Sequence, residues 1–187
     1  ASREELLEAV SRLDPGRHRW ISLTGGEPLL HGALPELARG LASLGPHLHL
    51  ETHGLAWRAL SDVAPHLRAI AMDWTLASEV ARAKPAAGEA SFAEAHRRFL
   101  AAAAAVPEIC VKLVITARSE DAELDEAFRA VAEIAPAAVL VLQPVTDTAS
   151  YRGRPDARRL HALARRAAES ARDVRVIPQT HTIYGAL

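Results

Sequence analysis

Six short runs of β-favouring, mostly apolar residues recur along this 187-residue chain, and stretches of helical period separate them; that alternation restricts the fold more than any other feature. The runs are Trp20 to Leu23, His47 to Thr52, Ala69 to Asp73, Ile109 to Thr116, Ala138 to Gln143 and Val174 to Ile177. Between them Leu34, Leu37, Leu41 and Leu44 step by three and four, as do Leu124, Phe128, Val131 and Ile134. Ser2-Arg3-Glu4-Glu5 fits a capping box, and Leu6, Val10 and Leu13 extend it into a helix that Asp14-Pro15-Gly16 stops. A second capping box, Ser91 to Glu94, opens a helix through Phe92 and Phe99 that runs into alanines before Pro107. Leu60, Val63 and Leu67 suggest a short helix, and Leu160 and Leu163 a last one. Residues 75–90 have no clear period and read as a long functional loop or a partly helical excursion.

Strands this apolar read as buried on both faces, which means a parallel sheet covered by helices, either an open doubly wound sheet or a barrel. In both, ligands meet the carboxyl ends of the strands. That rule gathers Thr24 to Glu27, Glu51 to Gly54, Asp73 to Ser78, Thr116, Gln143-Pro144 and Gln179 to His181 around one mouth. The chain length suits one domain. A net charge of -1 gives no electrostatic case for nucleic acid or an anionic membrane surface. No run of about 18 or more apolar residues appears, and the first residues carry no signal-peptide pattern, which points to the cytoplasm. Cys110 is the only cysteine, so these residues hold no internal disulfide and no Cys-only metal or iron-sulfur site. Inside a strand, it reads as a small buried hydrophobe.

The first run ends in Thr24-Gly25-Gly26-Glu27-Pro28. Glycines at such a turn allow positive φ and bring a ligand close to bare backbone, and Pro28 suits a helix start. The same residues also fit a plain strand-to-helix turn, with Glu27 favoured at a helix N-terminus by the macrodipole. His47, His49 and Glu51 alternate and so share one face, the spacing of a metal site and of a metal-dependent hydrolase; against that, His47 begins its strand and lies at the opposite rim from the mouth. Lys112 lies in an apolar strand and needs a carboxylate partner or a route to solvent. Asp73 suits either bracing a loop or contacting a ligand. Arg158-Arg159 and Arg165-Arg166 read as a solvated helix face.

Thr24-Gly25-Gly26-Glu27-Pro28-Leu29-Leu30 resembles the GGEP motif of the radical S-adenosylmethionine (SAM) enzymes. Leu50-Glu51-Thr52-His53-Gly54 is similar to the Glu-Thr-Asn-Gly that closes the next strand in several branches, with His53 in place of asparagine. Leu140-Val141-Leu142-Gln143-Pro144-Val145 is a third match, and Val174 to His181 a fourth. The ending Pro178-Gln179-Thr180-His181, followed by a short apolar tail, resembles the 7-carboxy-7-deazaguanine synthase family. The resemblance covers nearly the whole chain and implies an α/β fold, a partial (β/α)6 barrel with parallel strands.

It also implies a chemistry: a [4Fe-4S] cluster that cleaves SAM, and Mg2+-assisted ring contraction of a pterin substrate, 6-carboxy-5,6,7,8-tetrahydropterin, on the route to queuosine and related 7-deazapurines. By position, Gly25, Gly26 and Glu27 would border the methionine part of SAM, and Ser78 and Gln143 its ribose and adenosine. Thr24 would hydrogen-bond the pterin, and His181 and the Leu187 carboxylate would close over it. A flavodoxin-like reductase is an implied partner for the arginine face. The family's three cluster cysteines lie in a loop upstream of GGEP, and its magnesium contact lies beside them; no such loop is found here, and Trp74-Thr75 stands where relatives often have Ile-Lys. The expectation is therefore one radical SAM core domain over residues 1–187 lacking the first strand and cluster loop, inactive by itself, with an exposed strand edge that favours a homodimer or poor solubility. Two other readings remain open: an activating enzyme for a glycyl-radical partner, and a cluster-less remnant that binds a nucleotide or a partner chain.

Overall fold

The computed structural model describes residues 2–80, 91–148 and 152–180. Among them six strands form one sheet: β1 (Trp20–Leu23), β2 (His47–Thr52), β3 (Leu67–Asp73), β4 (Glu108–Ile115), β5 (Val139–Pro144) and β6 (Asp173–Val176). Every strand pairs in parallel with its sequence neighbour, in the order β1-β2-β3-β4-β5-β6. The helices are α1 (Arg3–Ser11), α2 (Leu34–Ala42), α3 (Trp57–Leu60), α4 (Phe92–Ala103), α5 (Asp121–Ile134) and α6 (Ala157–Ala168). α1 begins at the expected capping box: the Glu5 amide donates to Ser2 Oγ at 3.1 Å and the Ser2 amide to the Glu5 carboxylate at 2.7 Å. Ser91 likewise accepts the Glu94 amide at the start of α4. No helix among the described residues is long and apolar enough to cross a membrane.

The strands are buried on one face rather than on both. Leu48 and Leu50, Ile70 and Met72, Val111, Leu113 and Ile115, Leu140 and Leu142 form one face, all nearly free of solvent. They join Leu34, Leu41, Phe99, Leu100, Leu124, Phe128 and Leu163 from the helices in one core. Successive side chains of a strand point oppositely, and the other face carries His47, His49, Glu51, Asp73, Cys110, Lys112, Gln143 and Arg175, exposed or half-buried. Ala69 and Val141 are the buried members of that face. The open face explains how a parallel sheet carries charge: Lys112 Nζ meets Asp73 Oδ1 at 2.8 Å from the neighbouring strand, the partner its position demanded. Cys110 lies on this face, half-buried, and is not the fully buried residue its strand suggested.

The short helix expected over residues 60–67 splits. α3 closes at Leu60, a 3-10 turn occupies Ala64–His66, and Leu67 already pairs with Leu48 as the first residue of β3. At the other end of the sheet, a cavity of about 480 Å3 opens beside β1, walled by Leu6 and Val10 of α1, Leu34 and Leu37 of α2, and Ile21 and Leu23.

Candidate active site

The carboxyl ends of the strands carry a ring of turns, and each turn is tied to the next by a side chain. At the end of β1, Gly25 and Gly26 have φ of 102° and 59°. A Cβ at either glycine would touch nothing within 4 Å, so conformation alone demands glycine and the space before the turn is open. Glu27 follows, 9% exposed. Its carboxylate accepts the Leu29 amide at 3.1 Å, capping the 3-10 turn Pro28–Leu30, the Thr52 hydroxyl at 2.8 and 3.0 Å, and the His53 amide at 2.8 Å. A buried carboxylate without a matching cation requires such donors. His53 Nδ1 lies 3.2 Å from Glu27 Oε2 but accepts the Leu55 amide at 3.1 Å, so that nitrogen carries no proton for the carboxylate. Glu27 thus ties the β1 turn to the end of β2. Thr24 adds a second link, its hydroxyl donating to Glu51 at 3.2 Å.

The β2 and β3 turns are joined by His96 of α4, which has no solvent exposure. Its Nδ1–H donates to the Gly54 carbonyl at 2.9 Å, its Nε2 accepts the Thr75 amide at 3.0 Å, and its ring stacks on Trp74 with centroids 5.0 Å apart. Those partners fix the neutral tautomer. Burial, more than any other cause, pushes its pKa down to about 4. Gly54 is constrained twice, by φ of 69° and by Met72 Cε, which a Cβ would meet at 2.7 Å. Beyond β3, Glu79 accepts the hydroxyls of Thr116 and Ser119, joining β3 to β4, and the Ser78 amide and hydroxyl both donate to Glu123 of α5. The Thr146 amide donates to Gln179 Oε1 at 2.9 Å, joining the segments after β5 and β6.

Of the site residues singled out from sequence, Thr24, Gly25, Gly26 and Glu27 stand together beside Glu51 to Gly54. Ser78 is exposed, with its hydroxyl held by Glu123. Gln143 is half-buried on the open face near the top of β5, paired in register with Val114. His181 and Leu187 lie outside the described residues.

His47, His49 and Glu51 do not converge on a common point. His47 packs on Trp20, His49 Nδ1 lies 3.3 Å from Ser22 Oγ, and Glu51 holds Thr24. Among the described residues no group of three or more His, Cys, Asp or Glu is placed to hold a metal. With Cys110 as the sole cysteine, this chain's own residues do not supply three thiolates for a [4Fe-4S] cluster, and burial raises the Cys110 thiol pKa, further disfavouring a thiolate there. The arginine face divides. Arg158 and Arg165 are exposed as expected, whereas Arg159 and Arg166 turn to Asp121 of α5, and Arg166 also reaches Asp125 at 2.8 Å. Hydrogen bonds from Arg166 and then Arg159 hold the Asp121 carboxyl down at about 2.

His96, Glu79 and Glu123 were not singled out from sequence. For His96 the signal was present: with Phe92 and Phe99 it follows a 4-then-3 spacing, placing it on the buried face of α4.

No protein-family model matches this sequence. A curated relative, the 7-carboxy-7-deazaguanine synthase of Geobacter sulfurreducens, is 35% identical over 184 residues, 97% of this chain and 69% of the relative. Among solved structures, a domain of pyruvate-formate lyase-activating enzyme from Bacteroides vulgatus superposes with a TM-score of 0.66 at 14% identity, over 84% of this chain and 98% of that one. A radical SAM methyltransferase from Sphaerobacter thermophilus gives 0.64 at 15% identity, over 98% of this chain and 58% of that one. At such low identity these two speak for the fold, while the Geobacter relative speaks for descent. The mouth with its Gly-Gly-Glu-Pro turn, the partial-barrel sheet and that relative together place the chain in the 7-carboxy-7-deazaguanine synthase family of radical SAM enzymes.

Proposed function

We propose that this chain is the core of an enzyme that converts 6-carboxy-5,6,7,8-tetrahydropterin to 7-carboxy-7-deazaguanine with SAM, and that SAM binds at the mouth. The observation that carries the reading is the β1 turn. Two adjacent glycines in the left-handed region face open space, and a buried carboxylate braces them from behind. Bare backbone in that geometry offers amide and carbonyl groups to the carboxylate and ammonium of the methionine moiety. In this role Glu27 acts through the backbone it holds rather than by touching the ligand. Gln143, on the open face at the strand ends, offers an amide to the adenosine side. Thr24, oriented by Glu51, offers its hydroxyl oxygen to the pterin, and His181 and Leu187 are the further pterin contacts. Ser78 reaches the ribose only by releasing Glu123 or by sharing its oxygen as an acceptor.

The three thiolates that would hold the cluster are not among these residues, and the family's Mg2+ contact lies beside them. The exposed guanidinium groups of Arg158 and Arg165 suit an acidic electron donor such as flavodoxin, and the open edge of β1 suits pairing into a homodimer.

Calorimetric titration with SAM tests the assignment without requiring turnover. Gly26→Val forces a β-branched residue to φ of 59°, so binding should weaken about tenfold or more. Equal affinity in the two proteins would remove the β1 turn from the site. A pterin titration separates this reading from an activating enzyme, which acts on a protein.

A further inference from the structure

We propose that His96 is a positioning residue of the mouth: it holds the turns after β2 and β3 at the separation the ligand site requires. The proposal rests on the reading above for what binds there, but the clamp itself stands on geometry. A single buried imidazole uses both nitrogens on two backbone groups from different turns, the Gly54 carbonyl at 2.9 Å and the Thr75 amide at 3.0 Å. Neither of these two turns is bound to the other by a backbone bond between Gly54 and Thr75. The ring cannot shift toward solvent, because its exposure is zero and Trp74 stacks on it. The approach of turn to ring is close enough to require glycine, since a Cβ at Gly54 would lie 3.1 Å from Nδ1. The segments so joined are Glu51 to Gly54, beside the Gly25-Gly26 turn, and Asp73 to Ser78. An ordinary core residue fills volume; this one fixes a distance between two ligand-facing turns. Glu27 performs the same task one step earlier, between the β1 and β2 turns.

Two variants separate positioning from packing. His96→Phe retains the ring and the stack on Trp74 but loses both hydrogen bonds. His96→Asn places an amide donor near the Nδ1 position and restores the bond to Gly54 alone. Amide hydrogen exchange reads the clamp directly. In His96→Phe the Thr75 amide should exchange about tenfold faster or more, with Leu113 and Leu140 amides in the core little changed. His96→Asn should keep the Gly54 turn near its native protection while Thr75 stays fast. SAM affinity should fall in His96→Phe at a temperature where the protein is fully folded, and recover in part in His96→Asn.

Uniform acceleration of mouth and core amides in both variants would make His96 a packing residue and overturn the proposal. So would native SAM affinity in a His96→Phe protein whose Thr75 amide is released. If the unmodified protein does not bind SAM, the functional reading falls, and the exchange pattern alone decides the clamp.

Discussion

Glu27 shows how much a single side chain of this mouth carries. Its carboxylate collects one hydroxyl and two amide donors across two turns. Glu27→Gln keeps the volume but replaces one acceptor oxygen with an NH2 that faces donors. It should destabilise the protein by about 1–3 kcal/mol, read as a shift in the urea midpoint. Thr52→Val removes the hydroxyl link to Glu27 and also the acceptor of the Gly54 amide, and it should be non-additive with Glu27→Gln, since the two changes meet at one bond.

His96 sets a pH dependence whose sign follows from linkage. The native imidazole gains a proton only near pH 4, whereas in the unfolded chain an ordinary histidine does so near 6.5. Between those values the unfolded chain binds the extra proton, so stability is full above about 6.5 and declines as pH falls toward 4, by about 3 kcal/mol for this group. Electrostatic interaction with His53 adds to burial in disfavouring the protonated form. Urea midpoints at pH 7.5 and 4.5 should differ more in the unmodified protein than in His96→Phe. Asp121 acts in a lower window, between its ordinary 3.8 and its native value of about 2, and does not overlap.

At this scale the sequence was legible where chemistry imposes a rare backbone, as at Gly25-Gly26, or demands a partner, as for Lys112. The buried placement of His96 follows from its spacing on α4, but its partners and those of Glu79 lie 21 to 42 residues away, and no local pattern announces them.

Elements were readable from their starts. Ser2 and Ser91, read as caps, each accept an amide three residues on and begin α1 and α4, and Asp156, not singled out from sequence, begins α6 in the same way. Asp156→Ala removes the bond to the Arg159 amide, which measures 2.7 Å. The loss should destabilise α6 by about 1 kcal/mol, visible as a lowered melting temperature. Leu163→Ala, in the fully buried stripe of the same helix, should cost about 2–5 kcal/mol. What failed at this scale was the inference that apolar strands are covered twice. His47, His49, Glu51 and Lys112 alternate with leucines and valines, and period two places all of them on the open side. The residues 60–67 failed for another reason: Leu67 is claimed by pairing with Leu48, and a tertiary contact outweighs local helical spacing.

At the scale of the whole molecule, the described residues form a sheet with two unlike edges. β1 is only four residues long and flanked by the cavity under α1, and β6 ends at the exposed Val176, followed by the exposed Ile177. Hydrogen exchange should therefore rank the strands, with β3, β4 and β5 slowest and β1 and β6 fastest. Equal protection of β1 and β4 would mean that a further strand covers the β1 edge. The architecture followed from the alternation of runs, because parallel neighbours need crossover helices and the sequence supplies one stretch for each. Curvature and the ring of inter-turn ties did not follow, since both depend on which polar groups meet once the strands are side by side.

Strand order equals chain order in this sheet, and that has a consequence for biosynthesis. As the polypeptide leaves the ribosome, each new strand finds its one upstream partner already made, with no gap held open for a later arrival. Nascent chains of rising length should gain compactness in steps of one strand and helix, readable as successive rises in resistance to protease on stalled ribosomes.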